Sequence, residues 1–478
     1  IPNFLRRLFA EGAFAQAFVP VLSEIKEQQG DDKVRLFVAQ AAGTLGTILL
    51  IVTIIGVVAS PVIAALFGTG WFIDWWQGGP NAEKFELASS LLKLTFPYLF
   101  FVSLVALSGA VMNVYNRFAV AAFTPVLLNV SIITCAIFLH DKFSVGAYSL
   151  AIGVFVGGVV QLLFQLPFLY RAKMLARPRW AWQDENVKKV RKLMLPALFG
   201  VSISQINLLL DTMIASLLMT GSIAWLYYSD RLIEFPLGLF GIGIATVILP
   251  ALSKLHSSKK SSDFQHTLDW GVRFVIFLGL PAMVGLMIIS PLIITVLFDH
   301  GAFKEDSIDH VKAVSLGVVA YSVGLVSFML IKVLAPGFYA RQDTKTPVRI
   351  GIITLVLNMV FNIMLAPFIG YLGLALATSL SASCNAFLLY RQLKKENVYQ
   401  FSSMSMRFTL KCVVASIFMG AVTWFVSSYY YWATWAFTQQ VILLVALVAL
   451  AGISYFAMLF VMGVRLNTIK SVAITESN

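Results

Sequence analysis

Apolar runs of about twenty residues or more recur along this 478-residue chain, separated by short polar breaks. A bilayer core is crossed by about 20 helical residues, and inside lipid a helix satisfies its own backbone polar groups. Reading the runs against the breaks predicts thirteen spans, at roughly 2–24, 36–67, 86–115, 118–139, 144–170, 189–219, 222–252, 267–298, 312–340, 347–368, 371–391, 408–430 and 438–463. Composition agrees: only 12% of residues are charged, against about 25% in soluble domains. The fold class is therefore an all-α polytopic membrane protein.

The breaks alternate in charge. One set (24–35, 117, 171–192, 254–260, 341–349, 391–411, 465–478) holds 25 of the 35 Lys and Arg, and the alternate set only Lys84, Lys142, Lys304 and Lys312. Basic loops stay on the cytoplasmic side, so the first span runs inward and the C-terminus is cytoplasmic. The net charge of +12 is then a loop property, and no nucleic-acid partner is implied. The opposite loops carry "WFIDWWQGGP" and "SSYYYWATWAF", aromatic segments suited to a membrane–water interface.

Three pairs of strings repeat in order. "PVLSE" (20–24) matches "PALSK" (250–254) and "SPVIAALF" (60–67) matches "SPLIITVLF" (290–298), both at offset 230; "YNRFAVAAFTPV" (115–126) matches "YARQDTKTPV" (339–348), ending at offset 222. Such duplication marks a transporter built from repeats. The span 189–219 precedes "PALSK", and its counterpart would fall before Ile1. The expectation is therefore six helices per half plus a final pair, thirteen of fourteen being present here. An even number per half makes the repeats parallel: two bundles facing each other across a central cavity. The expected domains are an N-lobe (1–172), a basic cytoplasmic linker (173–188), a C-lobe (189–396) and a C-terminal pair (397–478).

Charges within spans are costly and face cavities or one another. The helix before Pro20 carries Arg6, Arg7 and Glu11; the helix before Pro250 carries Asp230, Arg231 and Glu234 in "SDRLIEF". Helical spacing puts Asn3, Arg7 and Glu11 on one face, with Arg6 about 100° away. Asp230 and Glu234 likewise share a face, with Arg231 beside them. Two readings fit: internal ion pairs (Arg7–Glu11, Arg231–Glu234), or arginines offered to an anion such as a phosphate or pyrophosphate, which guanidinium binds bidentately. A second polar set, Asp211, Asn358, Asn362 and Thr378, suits either a Na⁺ or H⁺ site or hydrogen bonding between helices. Lys93 and Lys332 line a cavity or snorkel. Gly153 and Gly157 form a GxxxG that reports close packing.

The chain has no Walker loop and no HExxH, and "GIGIAT" lacks the third glycine of a dinucleotide fingerprint. Cys135, Cys384 and Cys412 are far apart in apolar segments and read as packing residues. A secondary transporter fits better than an enzyme, with no cofactor.

The strings "PNFLRRLFAEGAFAQAFVPVLSE", "LLKLTFPY", "WLYYSDRLIEFPLGLFGIGIATVILPALSK" and "KVLAPGFYARQDTKTPV" resemble the MurJ family of lipid II flippases, kin to MATE exporters and polysaccharide flippases. The resemblance implies a MATE-like two-lobe fold whose last two helices form a groove for a lipid tail. It implies carriage of undecaprenyl-diphosphate-linked peptidoglycan precursor to the periplasmic leaflet of the bacterial inner membrane by alternating access. It also selects Arg6 over Arg7 and pairs it with Arg231 at the diphosphate; geometry alone left that choice open. Energy would come from membrane potential, Na⁺ or H⁺. Partners would be lipid II, the bilayer and other cell-wall proteins. Rival expectations are a flippase for another prenyl-diphosphate glycan, a drug exporter, or a non-transporting cell-wall scaffold.

Overall fold

A computed structural model describes residues 13–258, 260–305, 309–429 and 434–465, with the side chains of 13, 15, 16, 195–204, 242, 302 and 305 left aside. Every regular element among them is helical. Eleven of the helical stretches are long and apolar enough to cross a membrane, and they coincide with eleven of the thirteen expected spans. The expected span 2–24 begins outside the described residues, and 189–219 forms a single helix, Glu185–Ser216.

The chain divides into two compact units, Ile1–Leu217 and Leu218–Asn478. The first contains α1 (Ala13–Gln29), α2 (Asp31–Val58), α3 (Ser60–Phe67), α4 (Thr69–Gln77), α5 (Ala82–Thr95), α6 (Tyr98–Val114), α7 (Phe118–Leu139), α8 (Ala147–Arg171) and α9 (Glu185–Ser216). Its core includes an aromatic run: Phe14 stacks on Phe18 at 5.0 Å and Phe18 on Phe37 at 5.3 Å, joining α1 to α2. The hairpin α7–α8 closes through glycine, since a β-carbon on Gly153 or Gly157 would meet α7 at Ile132 or Leu128. That is the close packing expected of the GxxxG. Helix α9 begins at Asp184, whose carboxylate accepts from the Asn186 and Val187 amides at 3.0 and 3.2 Å, a side-chain N-cap.

The second unit contains α10 (Ser222–Pro236), a π-helical segment Leu237–Ile242, α11 (Gly243–Ser257), α12 (Ser261–Phe298), α13 (Ala302–Glu305), α14 (His310–Ser322), α15 (Leu325–Tyr339), α16 (Lys345–Ile369), α17 (Tyr371–Lys395), α18 (Ser403–Tyr429) and α19 (Phe437–Val461). The last pair packs within this unit, with α18 lying against α12. Three expectations change in detail. Helix α9 was assigned to the second lobe, yet it packs in the first unit against α1, α3 and α4, and Ser216 Oγ accepts from the Gly70 amide at 3.0 Å. The aromatic segment "WFIDWW" is helix α4, because Phe72 and Trp75 pack on Phe85 at 5.4 and 5.3 Å.

The third concerns the duplication, which is visible element by element. Pro20 and Pro250 both lie inside helices, α1 and α11. The segments containing the second string begin at Asp31 and Ser261, preserving the 230 offset, but the first is broken at Ala59 where α12 is continuous. Both halves then carry a broken helix, α5–α6 and α14–α15, followed by matching turns. Asn116 and Gln342 take φ of 57° and 62°, and the amides of Arg117 and Asp343 reach back to Met112 and Phe338 carbonyls, a Schellman closure. The "TPV" strings are therefore out of register by one helical turn. Pro347 sits in the first turn of α16, where proline costs little, while Pro125 sits further inside α7.

Candidate functional site

Helix α10 has two faces. Trp225, Ser229 and Ile233 are buried against α14: the Trp225 indole donates to His310 Nδ1 at 2.9 Å, and Ser229 Oγ donates to the Val314 carbonyl at 2.9 Å. Three to four residues apart along another face stand Tyr227, Arg231 and Glu234. Arg231 Nη1 meets Glu234 Oε2 at 2.5 Å, with both side chains 39% exposed, and its guanidinium lies 4.9 Å from the Tyr227 ring centroid. Asp230 is exposed beside them. Of the two readings for Arg231, the ion pair is the arrangement present, and its partner is the i+3 carboxylate. Tyr227 was not singled out in the sequence; its i−4 spacing from Arg231 is the signal that places it. Asn3, Arg6, Arg7 and Glu11 lie outside the described residues.

The second polar set falls in two parts. Asn362 Nδ2 donates to Asn358 Oδ1 at 3.0 Å and Asn358 Nδ2 to Thr378 Oγ1 at 3.4 Å. Asn385 and Ser381 extend this seam between α16 and α17 by donating to Thr354. Asp211 stands on α9, in the other unit, and accepts from Asn207 at 3.3 Å. For Asn358, Asn362 and Thr378 the interhelical hydrogen bonding is what is seen. Lys93 and Lys332 are both exposed on their helices.

One feature escaped the sequence reading. Asp269 on α12 is a buried hub: it pairs with Arg273 at 3.2 Å, with side chains only 13% and 15% exposed. It also accepts from Tyr399 at 3.1 Å and from Ser405 at 2.6 and 2.8 Å. Burial, and then the neighbouring carboxylate, push the Tyr399 phenol well above its ordinary range. Asp269 falls near the start of a span, where a charge reads as solvated; the D-x-x-x-R spacing was the available signal. Along α18 and α19, the pair for which a lipid-tail groove is expected, lies an open apolar cavity of about 670 Å³ lined by Val426, Trp435, Ile442, Leu443, Leu447 and Leu450.

A family model described as "Lipid II flippase MurJ" matches residues 1–468. The chain belongs to the MurJ family. A probable lipid II flippase MurJ of Vibrio cholerae is 56% identical over 98% of this chain and 89% of its own length. The Haemophilus influenzae counterpart is 55% identical over 97% and 92%. Among solved structures, a lipid II flippase MurJ in an inward closed conformation superposes with TM-score 0.76 at 26% identity, over 96% of this chain and 91% of that one. An inward-facing MATE-family multidrug transporter gives 0.69 at 13% identity, over 83% and 88%, a likeness of fold alone. MurJ proteins are multi-pass transporters rather than catalysts, and the MATE-like, all-α architecture is established for this chain.

Proposed function

We propose that this chain carries lipid II from the cytoplasmic to the periplasmic leaflet of the bacterial inner membrane by alternating access. Family membership across residues 1–468 supports the activity. The observation that carries the chemistry is Arg231, a half-exposed guanidinium paired with Glu234 within a membrane-length helical stretch. A diphosphate offers two or more oxygens in the geometry that guanidinium accepts, so it can take the place of Glu234. Arg6 is the equivalent group of the first half, and each arginine binds phosphate oxygens during the cycle.

The apolar cavity along α18 and α19 suits the prenyl tail, which remains in an apolar phase while the polar head crosses. The return step draws on the membrane potential, or on a coupling Na⁺ or H⁺.

In cells depleted of their own flippase, the protein is expected to restore growth, while Arg6→Ala and Arg231→Ala variants expressed to the same level are not. Full growth with both arginines removed overturns the diphosphate assignment.

A further inference from the structure

The segment joining α8 to α9 does more than connect them. It is held down along its length: Met174 and Val187 are buried in the same core as Phe18 and Phe37. The Arg179 amide donates to the Ala39 carbonyl at 2.9 Å and the Ala181 amide to Thr44 Oγ1 at 3.0 Å. Gly43 of α2 admits this approach, since a β-carbon there would sit on the Arg179 backbone. The two pinned peptides flank Trp180 and Trp182, whose rings lie parallel within 6° at 5.9 Å. Arg191 closes one end of the stack, its guanidinium 3.5 Å from the Trp182 ring and its Nη2 donating to the Trp182 carbonyl at 2.9 Å.

This stack is preorganised, yet it is not buried. Trp180 is 57% and Trp182 38% exposed, with Leu175 exposed beside them. Along the same segment lie Arg171, Lys173, Arg177, Arg179, Lys188 and Lys192, all exposed. Of the two local acids, Asp184 is spent on the helix cap. A pinned indole pair on a segment rich in exposed cations, between two membrane-length helices, matches a surface that is apolar at one depth and anionic at the next. Indoles settle at the headgroup level, and clustered Lys and Arg are drawn to anionic lipid over about a Debye length.

We propose that residues 171–192 form a binding surface for the phosphate headgroups of anionic phospholipids. Trp180 and Trp182 insert beside the acyl-chain carbonyls, while Arg177, Arg179 and Lys188 hold the phosphates. The surface is a property of the first unit alone and stands independently of the cargo assignment.

The test is fluorescence of the purified protein in vesicles of phosphatidylcholine, with or without phosphatidylglycerol, whose acyl chains are brominated near the carbonyl. The contribution of the pair is read as the difference between the protein and its Trp180→Phe/Trp182→Phe variant. Quenching of that difference is expected to be several-fold greater with phosphatidylglycerol, and the excess to vanish at high salt. An Arg177→Gln/Arg179→Gln variant, which keeps both indoles, is expected to lose the excess. Equal quenching in the two vesicles at low salt, or an unchanged Arg177→Gln/Arg179→Gln variant, overturns the proposal. So does an excess that appears only when lipid II is added, which would make the surface a substrate site.

Discussion

The Arg231–Glu234 pair is half exposed, and such pairs contribute about 0–1 kcal/mol. That weakness lets Glu234 yield to a doubly anionic ligand, whereas a fully buried pair would resist exchange. Replacing Arg231 by Ala removes charge-assisted hydrogen bonds of about 2 kcal/mol, roughly a 30-fold loss of lipid II affinity; Arg231→Lys restores only part of it, because lysine lacks the bidentate fork. Glu234→Gln removes the competing carboxylate, so lipid II is expected to bind a few-fold more tightly and turn over more slowly. Titration of labelled lipid II against each purified variant checks both directions. At this scale the sequence exposed the arginines through their cost in lipid. It named Glu234 as the ion-pair partner of Arg231 but left the pair open against an anion site, and the built helix shows the pair. The Asp269 hub was illegible for another reason: Tyr399 and Ser405 lie 130 and 136 residues away, and no local pattern announces them.

Among the helices, that hub ties α12 to the start of α18 and so to the pair carrying the apolar cavity. Ser405→Ala removes hydrogen bonds to a charged acceptor and is expected to cost about 1.5–3 kcal/mol. Asp269→Ala strands a largely buried guanidinium and is expected to cost about 3–5 kcal/mol. Thermal unfolding in detergent measures both, and maleimide labelling of Cys412, buried on α18, is expected to quicken in the same order. Elsewhere in the unit, Asp343 lies before α16 and accepts from the Thr346 amide at 3.0 Å. Hydrogen bonding to Thr346 holds its carboxyl below the ordinary range. A depressed folded value contributes stability above the unfolded value, lost as pH falls through the folded one. Protection of the Thr346 amide, taken relative to its intrinsic exchange rate at each pH, is therefore expected to fall on acidification, and an Asp343→Asn variant to lose that dependence. Helix ends were readable because polar loops bound each apolar run. The breaks at Ala59, at Phe96–Pro97 and at Leu237–Ile242 were not, since hydropathy runs through them unchanged.

For the whole molecule, the contrast between basic and non-basic loops predicts the orientation. Single cysteines at Arg177 and Gly79 are expected to label from the cytoplasmic and the periplasmic side respectively; the reverse pattern would invert the topology. The duplication was legible as three strings, but its register was not, because Pro125 and Pro347 occupy different turns of their helices. The placement of α9 in the first unit also lay beyond the sequence, since an apolar helix carries no mark of which neighbours it will choose. The central claim is that this fold moves a lipid by its diphosphate, and reconstitution tests it most directly. The purified protein in liposomes is given fluorescent lipid II or a matched analogue in which a neutral linker replaces the diphosphate. Lipid II is expected to reach the opposite leaflet, the neutral analogue to remain, and Arg231→Ala to abolish most of the movement. Equal movement of both lipids, or undiminished movement by the Arg231→Ala protein, would contradict the account.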